Sequence, residues 1–170
     1  SPYSEKQCAA IIATALDLRR DIFATDVTDV LRAGTAAMMS ALDSVKAGSA
    51  NNVLVIASDN RQSAPRGDAE LNLGDGAVAY LISRDNLVAE STGSYSITEN
   101  LMDSWRSTGD SFVRSWEDRF ATEEGLERIL GDAVSGYFEK HGGEAKDVGK
   151  VAFYAPDGRR HGQLTREVGF

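Results

Sequence analysis

The residues of this chain that could do chemistry fall in two segments. The first, Thr28-Asp29-Val30-Leu31-Arg32-Ala33-Gly34-Thr35-Ala36-Ala37-Met38-Met39, has the outline of a catalytic helix start, yet Leu31 stands where the chemistry needs a cysteine. A cysteine there would be activated, because the helix N-terminus favours thiolate and the thiolate is the nucleophile. Leucine offers no nucleophile at all. The second segment is Val151-Ala152-Phe153-Tyr154-Ala155-Pro156-Asp157-Gly158, with His161 just beyond it. Tyr154 is able to donate a hydrogen bond to a carbonyl oxygen or to exchange a proton with substrate, and equally able to serve as a rim tyrosine that fills space. Asp157 and His161 are either functional groups or, respectively, a turn cap and a surface imidazole. Asp26 and Asp29 imitate a paired-carboxylate site, with turn and capping roles as the simpler alternative. Cys8 is the only thiol and falls on an apolar helical stripe, which favours a small core residue over a reactive one.

The elements that must position these groups alternate in type. Ser4 to Gln7 fits a capping box, and Cys8, Ile11, Ile12 and Ala15 follow at helical spacing. Asp21–Thr25 is a short strand candidate. Met38, Ala41, Leu42 and Val45 mark the inner face of a helix over 35–47 that ends near Gly48. Val53–Ala57 is an unbroken, β-branched apolar run, which predicts a strand covered on both faces. The polar stretch Ser58–Asn72 makes a long loop of the kind that lines sites. Gly74-Asp75-Gly76 then opens a second strand, Ala77–Ile82, again expected to be fully buried. These glycines precede a strand, whereas a phosphate-binding glycine loop follows one.

From Asn86 to Ala121 the periodicity weakens, and Trp105, Phe112, Trp116 and Phe120 either anchor a long excursion or line an apolar channel. An amphipathic helix over Leu126–Phe138 is closed by His141-Gly142-Gly143, with His141 facing the helix dipole and solvent. Val151–Tyr154 reads as the last strand, Ala155–Gly158 as a turn, and Leu164–Val168 as the start of another helix. The order is that of an α/β protein.

Composition removes several function classes. The chain has 170 residues, 42% hydrophobic and 26% charged, which is enough apolar material for a core. A formal charge of -8 and a pI near 4.8 supply no extended basic surface, so a nucleic-acid partner is not expected. No apolar run approaches the roughly 20 residues of a membrane span, so no membrane partner is expected and the location reads as cytoplasmic. One cysteine and two histidines do not assemble a zinc-ligand set, and no metal is expected.

Three places together resemble the thiolase superfamily, above all the hydroxymethylglutaryl-CoA synthases and their ketoacyl-ACP synthase III relatives. Asp26 to Ala37 is similar to the segment in which a nucleophilic Cys precedes an Ala/Gly-Gly-Thr-Ala run. Val55-Ile56-Ala57-Ser58-Asp59 followed by Gly74-Asp75-Gly76-Ala77-Val78-Ala79 is similar to the strand, loop and glycine-rich strand that close the first half of that fold. Val151 to Gly158 is similar to the family's apolar-Phe-His-x-Pro-Asn-Gly catalytic turn.

The resemblance implies a layered thiolase-like α/β fold, present as about half of a subunit. Residues 1–85 would end the first half and residues 86–170 begin the second. It further implies acyl-CoA as substrate or ligand with no tightly bound cofactor, and a homo-oligomer or a thiolase-like partner subunit. By the same resemblance Leu31 occupies the nucleophile position, Tyr154 the His position and Asp157 the Asn position, while Gly34, Thr35, Gly76, Pro156 and Gly158 contact substrate. Two functions are compatible with those replacements: an acyltransferase or carbon–carbon bond-forming or -cleaving enzyme of altered chemistry, and a catalytically silent subunit that binds acyl-CoA or supports an active partner.

Overall fold

Helix α2 (Ala33–Ala47) shows how closely helix and strand meet in this protein. Gly34 lies so near strand β1 (Val53–Asn60) that a Cβ added to it would stand 3.2 Å from the Ala57 Cβ. Ala41 and Val45 are buried on the inner face of the helix. The helix stops at Gly48, whose φ of 80° is left-handed, and Arg84 donates from Nε and Nη2 to the Val45 carbonyl at 3.0 and 2.6 Å. A guanidinium on these last carbonyls satisfies acceptors that the helix itself leaves open.

The computed structural model describes every residue except Ser1, Pro2, Ser4, Asp68 and Pro156, together with the side chain of Asp118. Two compact units make up the chain: Ser1–Asp59 with Gly76–Ala89, and Asn60–Asp75 with Glu90–Phe170.

In the first unit, β1 and β2 (Asp75–Ile82) form a two-stranded sheet, and helix α1 is Cys8–Ala15. Along β1 exposure alternates: Val55 is only 6% exposed while Leu54 and Ile56 are exposed. Along β2 everything before Ile82 is exposed, Leu81 at 68%. The expectation that both strands are buried on both faces is therefore wrong. A continuous apolar run records that a strand needs cover, not which molecule supplies it, and here α2 approaches β1 closely at Gly34 and Ala57. Asp21–Thr25 is not a strand. Phe23 is 92% exposed there, and among the described residues no strand offers its backbone a ladder.

Helix α1 contains no buried residue, so the apolar stripe predicted to bury Cys8 leaves it half-buried in the first turn. Ser4 of the expected capping box lies outside the described residues. The N-terminus of α1 is instead held by Asp26, whose carboxylate accepts from the Cys8 N–H at 2.7 Å and the Ala9 N–H at 2.8 Å. Those two bonds hold the Asp26 carboxyl below its ordinary value, against a smaller opposing effect of burial. A carboxyl depressed in the folded state adds stability above its unfolded pKa and loses it as pH falls through the folded value. Asp26→Ala is expected to cost about 1 kcal/mol near neutrality, the usual worth of a helix cap, and nothing once Asp26 is protonated. Urea unfolding at neutral and strongly acid pH measures that difference, and an equal cost at both would remove the carboxylate from the explanation.

The second unit contains what the weak periodicity of 86–121 concealed. Strands β3 (Ser104–Trp105) and β4 (Arg114–Ser115) pair antiparallel, Ser104 opposite Ser115 and Trp105 opposite Arg114. The Trp105 and Trp116 rings lie 6.3 Å apart, and Asp110 bonds Arg114 at 2.6 Å across the connection. A short helix α3 (Asp118–Phe120) runs into a π-helical turn, Ala121–Glu127, and then into α4 (Arg128–His141). The Arg128 guanidinium makes a two-pronged pair with Glu99, which holds the Glu99 carboxyl below its ordinary value. The tip of the Tyr95 ring lies against Gly136, where any Cβ would collide with it. His141 does not simply face solvent: its Nε2 stands 3.0 Å from the Ser94 carbonyl, tying the C-terminus of α4 to the incoming strap. Gly142, at φ 77°, ends the helix as expected.

Val151–Tyr154 is not a strand, because among the described residues no strand pairs with it. Helix α5 spans Gly158–Glu167, beginning six residues before the expected Leu164, since Asp157 caps it by accepting from the Arg160 N–H at 2.8 Å. Leu164, 1% exposed, anchors α5 to the unit. No helix among the described residues is long and apolar enough to cross a membrane.

Candidate functional site

The first unit presents Leu31 in the turn that leads into α2, two residues before its first helical residue, with its side chain 64% exposed. The turn is shaped by Asp29 at φ 66° and by the Thr28 hydroxyl, which donates to the Asp29 carboxylate at 2.9 Å. Asp29 and Asp26 are thus a turn residue and a cap, not a paired-carboxylate site. Thr35 donates through its hydroxyl to the Arg32 carbonyl at 3.0 Å, and Gly34 is set by its close approach to Ala57. Gly76 sits in β2 with open space where a side chain would be.

The second unit carries Tyr154, Asp157, Gly158 and His161. The His161 ring stacks on Phe153, centroids 4.4 Å apart and planes 16° from parallel, and Thr165 donates its hydroxyl to the His161 carbonyl at 2.7 Å. This stack binds the Tyr154 segment to α5, so His161 acts as a buttress. The Tyr154 side chain, 61% exposed as a residue, is nevertheless desolvated enough that its hydroxyl is held above the ordinary tyrosine value. Burial is the main cause; the Asp103 charge adds to it and the Arg61 charge opposes it. Pro156 lies outside the described residues. Gly158 begins α5 with nothing near its missing side chain.

Two residues near Tyr154 escaped the sequence reading. Arg61 and Asp103 act on it from positions 93 and 51 residues earlier in the chain. Arg61 is the first residue after β1, within a loop whose length and polarity already pointed to a site; Asp103 begins a hairpin too short to leave a pattern. Two surface depressions, of about 340 and 420 Å³, are lined respectively by Ala133, Val134, Tyr137, Phe138, Val148 and Phe170 and by residues between Tyr3 and Thr28. Neither includes Leu31 or Tyr154. Among the described residues no group of three or more His, Cys, Asp or Glu side chains is arranged to hold a metal.

The chain is 32% identical over 169 residues to the hydroxymethylglutaryl-CoA synthase of Methanocaldococcus jannaschii, an alignment covering 99% of this chain and 49% of the relative. The chain belongs to the thiolase superfamily. Its similarity to hydroxymethylglutaryl-CoA synthases recurs with that of Methanopyrus kandleri, 31% identical over 99% of this chain and 48% of the relative. No protein-family model matches the chain.

Solved structures show the same thiolase-like fold. MvaS in complex with 3-hydroxy-3-methylglutaryl coenzyme A aligns at a TM-score of 0.86 with 21% identity, over 98% of this chain and 43% of that one. PksG, a hydroxymethylglutaryl-CoA synthase from Bacillus subtilis, aligns at 0.79 with 24% identity, over 96% and 41%. This thiolase-superfamily chain spans about half the length of the curated relatives it matches.

Proposed function

We propose that the chain is part of an acyl-CoA-handling protein of the hydroxymethylglutaryl-CoA synthase type that works without a covalent acyl-cysteine. The observation that carries this reading is a similarity to those synthases along 99% of the chain; the resemblance of the Leu31 and Tyr154 segments to the family's Cys and His motifs supports the altered chemistry. In this reading residues 1–85 end the first thiolase-like half and residues 86–170 begin the second. Tyr154 donates its hydroxyl hydrogen to the thioester or keto oxygen of a bound acyl-CoA. A hydroxyl held above its ordinary pKa stays protonated at neutral pH, which suits a donor and not a base. Asp157 acts from behind by fixing the start of α5, and Gly34, Thr35, Gly76, Pro156 and Gly158 shape the substrate path. The exposed outer faces of β1 and β2 support a homo-oligomer or a thiolase-like partner subunit, and a cytoplasmic location goes with the reading.

The test is isothermal titration of the protein with CoA, acetyl-CoA and acetoacetyl-CoA, together with release of free CoA from the two thioesters. Binding with CoA release supports an enzyme of altered chemistry. Binding without release favours the second function, a silent subunit, for which the absent nucleophile at Leu31 speaks. No binding rejects both.

A further inference from the structure

The π-helical turn Ala121–Glu127 and helix α5, both in the second unit, meet at acidic side chains. Glu123 and Glu127 stand four residues apart on the turn, and Glu167 ends α5. Gln163, one turn earlier on α5, bridges the two elements: its Nε2 donates to Glu167 at 2.9 Å and reaches Glu127 at 3.4 Å. One neutral amide is thus shared between two carboxylates, and Glu123 adds a like charge at a spacing where like charges repel. The neighbouring cations are engaged around this cluster. Arg119 of α3 bonds Glu123 at 2.8 Å, and Arg128 of α4 is paired with Glu99. Burial first, then the Glu167 and Glu123 charges, hold the half-buried Glu127 carboxyl above its ordinary value, and Arg160 of α5 only partly offsets them. The same α5 carries His161, whose ring stacks on Phe153 beside Tyr154, so the grip of α5 on the turn reaches the Tyr154 segment.

We propose that this junction is an acid latch: α5 is fastened to the π-helical turn while Glu127 carries a proton and loosens when Glu123, Glu127 and Glu167 are all charged. A protonated carboxyl has an O–H to donate to a neighbouring oxygen, where the carboxylate only accepts and repels. A carboxyl raised in the folded state adds stability below its unfolded pKa and loses it as pH rises through the folded value, so the latch closes on the acid side. A π-helical turn is a local departure from α geometry, which suits a joint that gives. The latch holds whatever ligand the Tyr154 segment meets and is independent of the acyl-CoA reading.

Amide hydrogen exchange of the full chain, resolved to α5 by mass spectrometry and corrected for the intrinsic pH dependence of exchange, tests it. Between about pH 4.5 and about pH 7.5 the native α5 is expected to lose about tenfold in protection, the scale of one carboxyl whose charged form its neighbours disfavour. Glu127→Gln is neutral at every pH and is expected to keep its acid-side protection at about pH 7.5. Glu167→Gln, an exposed change that removes one repelling charge, is expected to show a smaller loss than the native chain. His161 is on the same helix, and a proton dependence that it adds is common to the native chain and the Glu127→Gln variant. Protection of native α5 that does not change with pH overturns the proposal, as does a loss of the same size in Glu127→Gln. If Glu127→Gln does not fold, Glu167→Gln decides, and a loss undiminished in it overturns the latch.

Discussion

Incubated with acetyl-CoA, the protein is expected to show no acetyl adduct by intact-mass spectrometry, and its hydroxymethylglutaryl-CoA synthase turnover is expected to be absent or several orders of magnitude below that of a cysteine-bearing synthase. Leu31 has no atom that can attack a thioester. Cys8 has one, but it sits half-buried in the first turn of α1, where the Asp26 carboxylate already takes the Cys8 and Ala9 N–H groups. The positive end of that helix is therefore occupied by an anion before any thiolate or oxyanion could use it. Removing a covalent nucleophile leaves one difficult step where two easier ones stood, and such losses typically reach several orders of magnitude in rate. Leu31→Cys alone is expected to recover little, because a phenol titrating far above neutrality does not replace an imidazole that exchanges protons near pH 7. Leu31→Cys with Tyr154→His is the variant expected to take up acetyl. A stoichiometric acetyl group on Cys8 of the native protein would put a relocated nucleophile in place of this account.

What the sequence disclosed depended on how local the controlling interactions are. Helices α2 and α4 were legible because periodicity, a terminal glycine and length agree within one segment: Ala41 and Val45 turn inward and Gly48 ends the helix at positive φ. Strands β1 and β2 were legible as strands and misread as buried, because Leu54, Ile56, Val78 and Leu81 state a need for cover that α2 does not meet. The cap of α1 joins residues 17 and 18 apart in the chain, a distance at which no spacing rule operates. Val151–Tyr154 has the composition of a strand and no partner among the described residues, and strand character is realised only by pairing. At the candidate site the sequence reached Tyr154, Asp157 and His161 through one contiguous motif. Arg61 and Asp103 enter from the end of β1 and from a hairpin of two-residue strands, and only folding brings them to the tyrosine.

Tyr154→Phe is expected to lower the rate of CoA release from acetoacetyl-CoA by about a hundredfold or more, the usual contribution of a positioned acid or hydrogen-bond donor, with CoA-ester affinity little changed. The pH dependence carries the sign of the mechanism. Burial, then the Asp103 charge, hold the hydroxyl above its ordinary value, and Arg61 only partly offsets them. The donating form is the protonated one, so the Tyr154-dependent rate is full at neutral pH and disappears as pH rises through the raised value. A base would give the opposite slope. Asp103→Asn removes one of the raising influences and is expected to move that alkaline limb to lower pH, whereas Arg61→Gln removes the lowering influence and moves it higher. Tyr154→Phe differs from the native side chain by one oxygen, so the Phe153–His161 stack and the cap of α5 remain, and a lost rate reports the hydroxyl and not the fold. If the phenylalanine variant releases CoA as fast as the native protein, the ring is a space-filling remnant beside α5 and the chemistry belongs elsewhere.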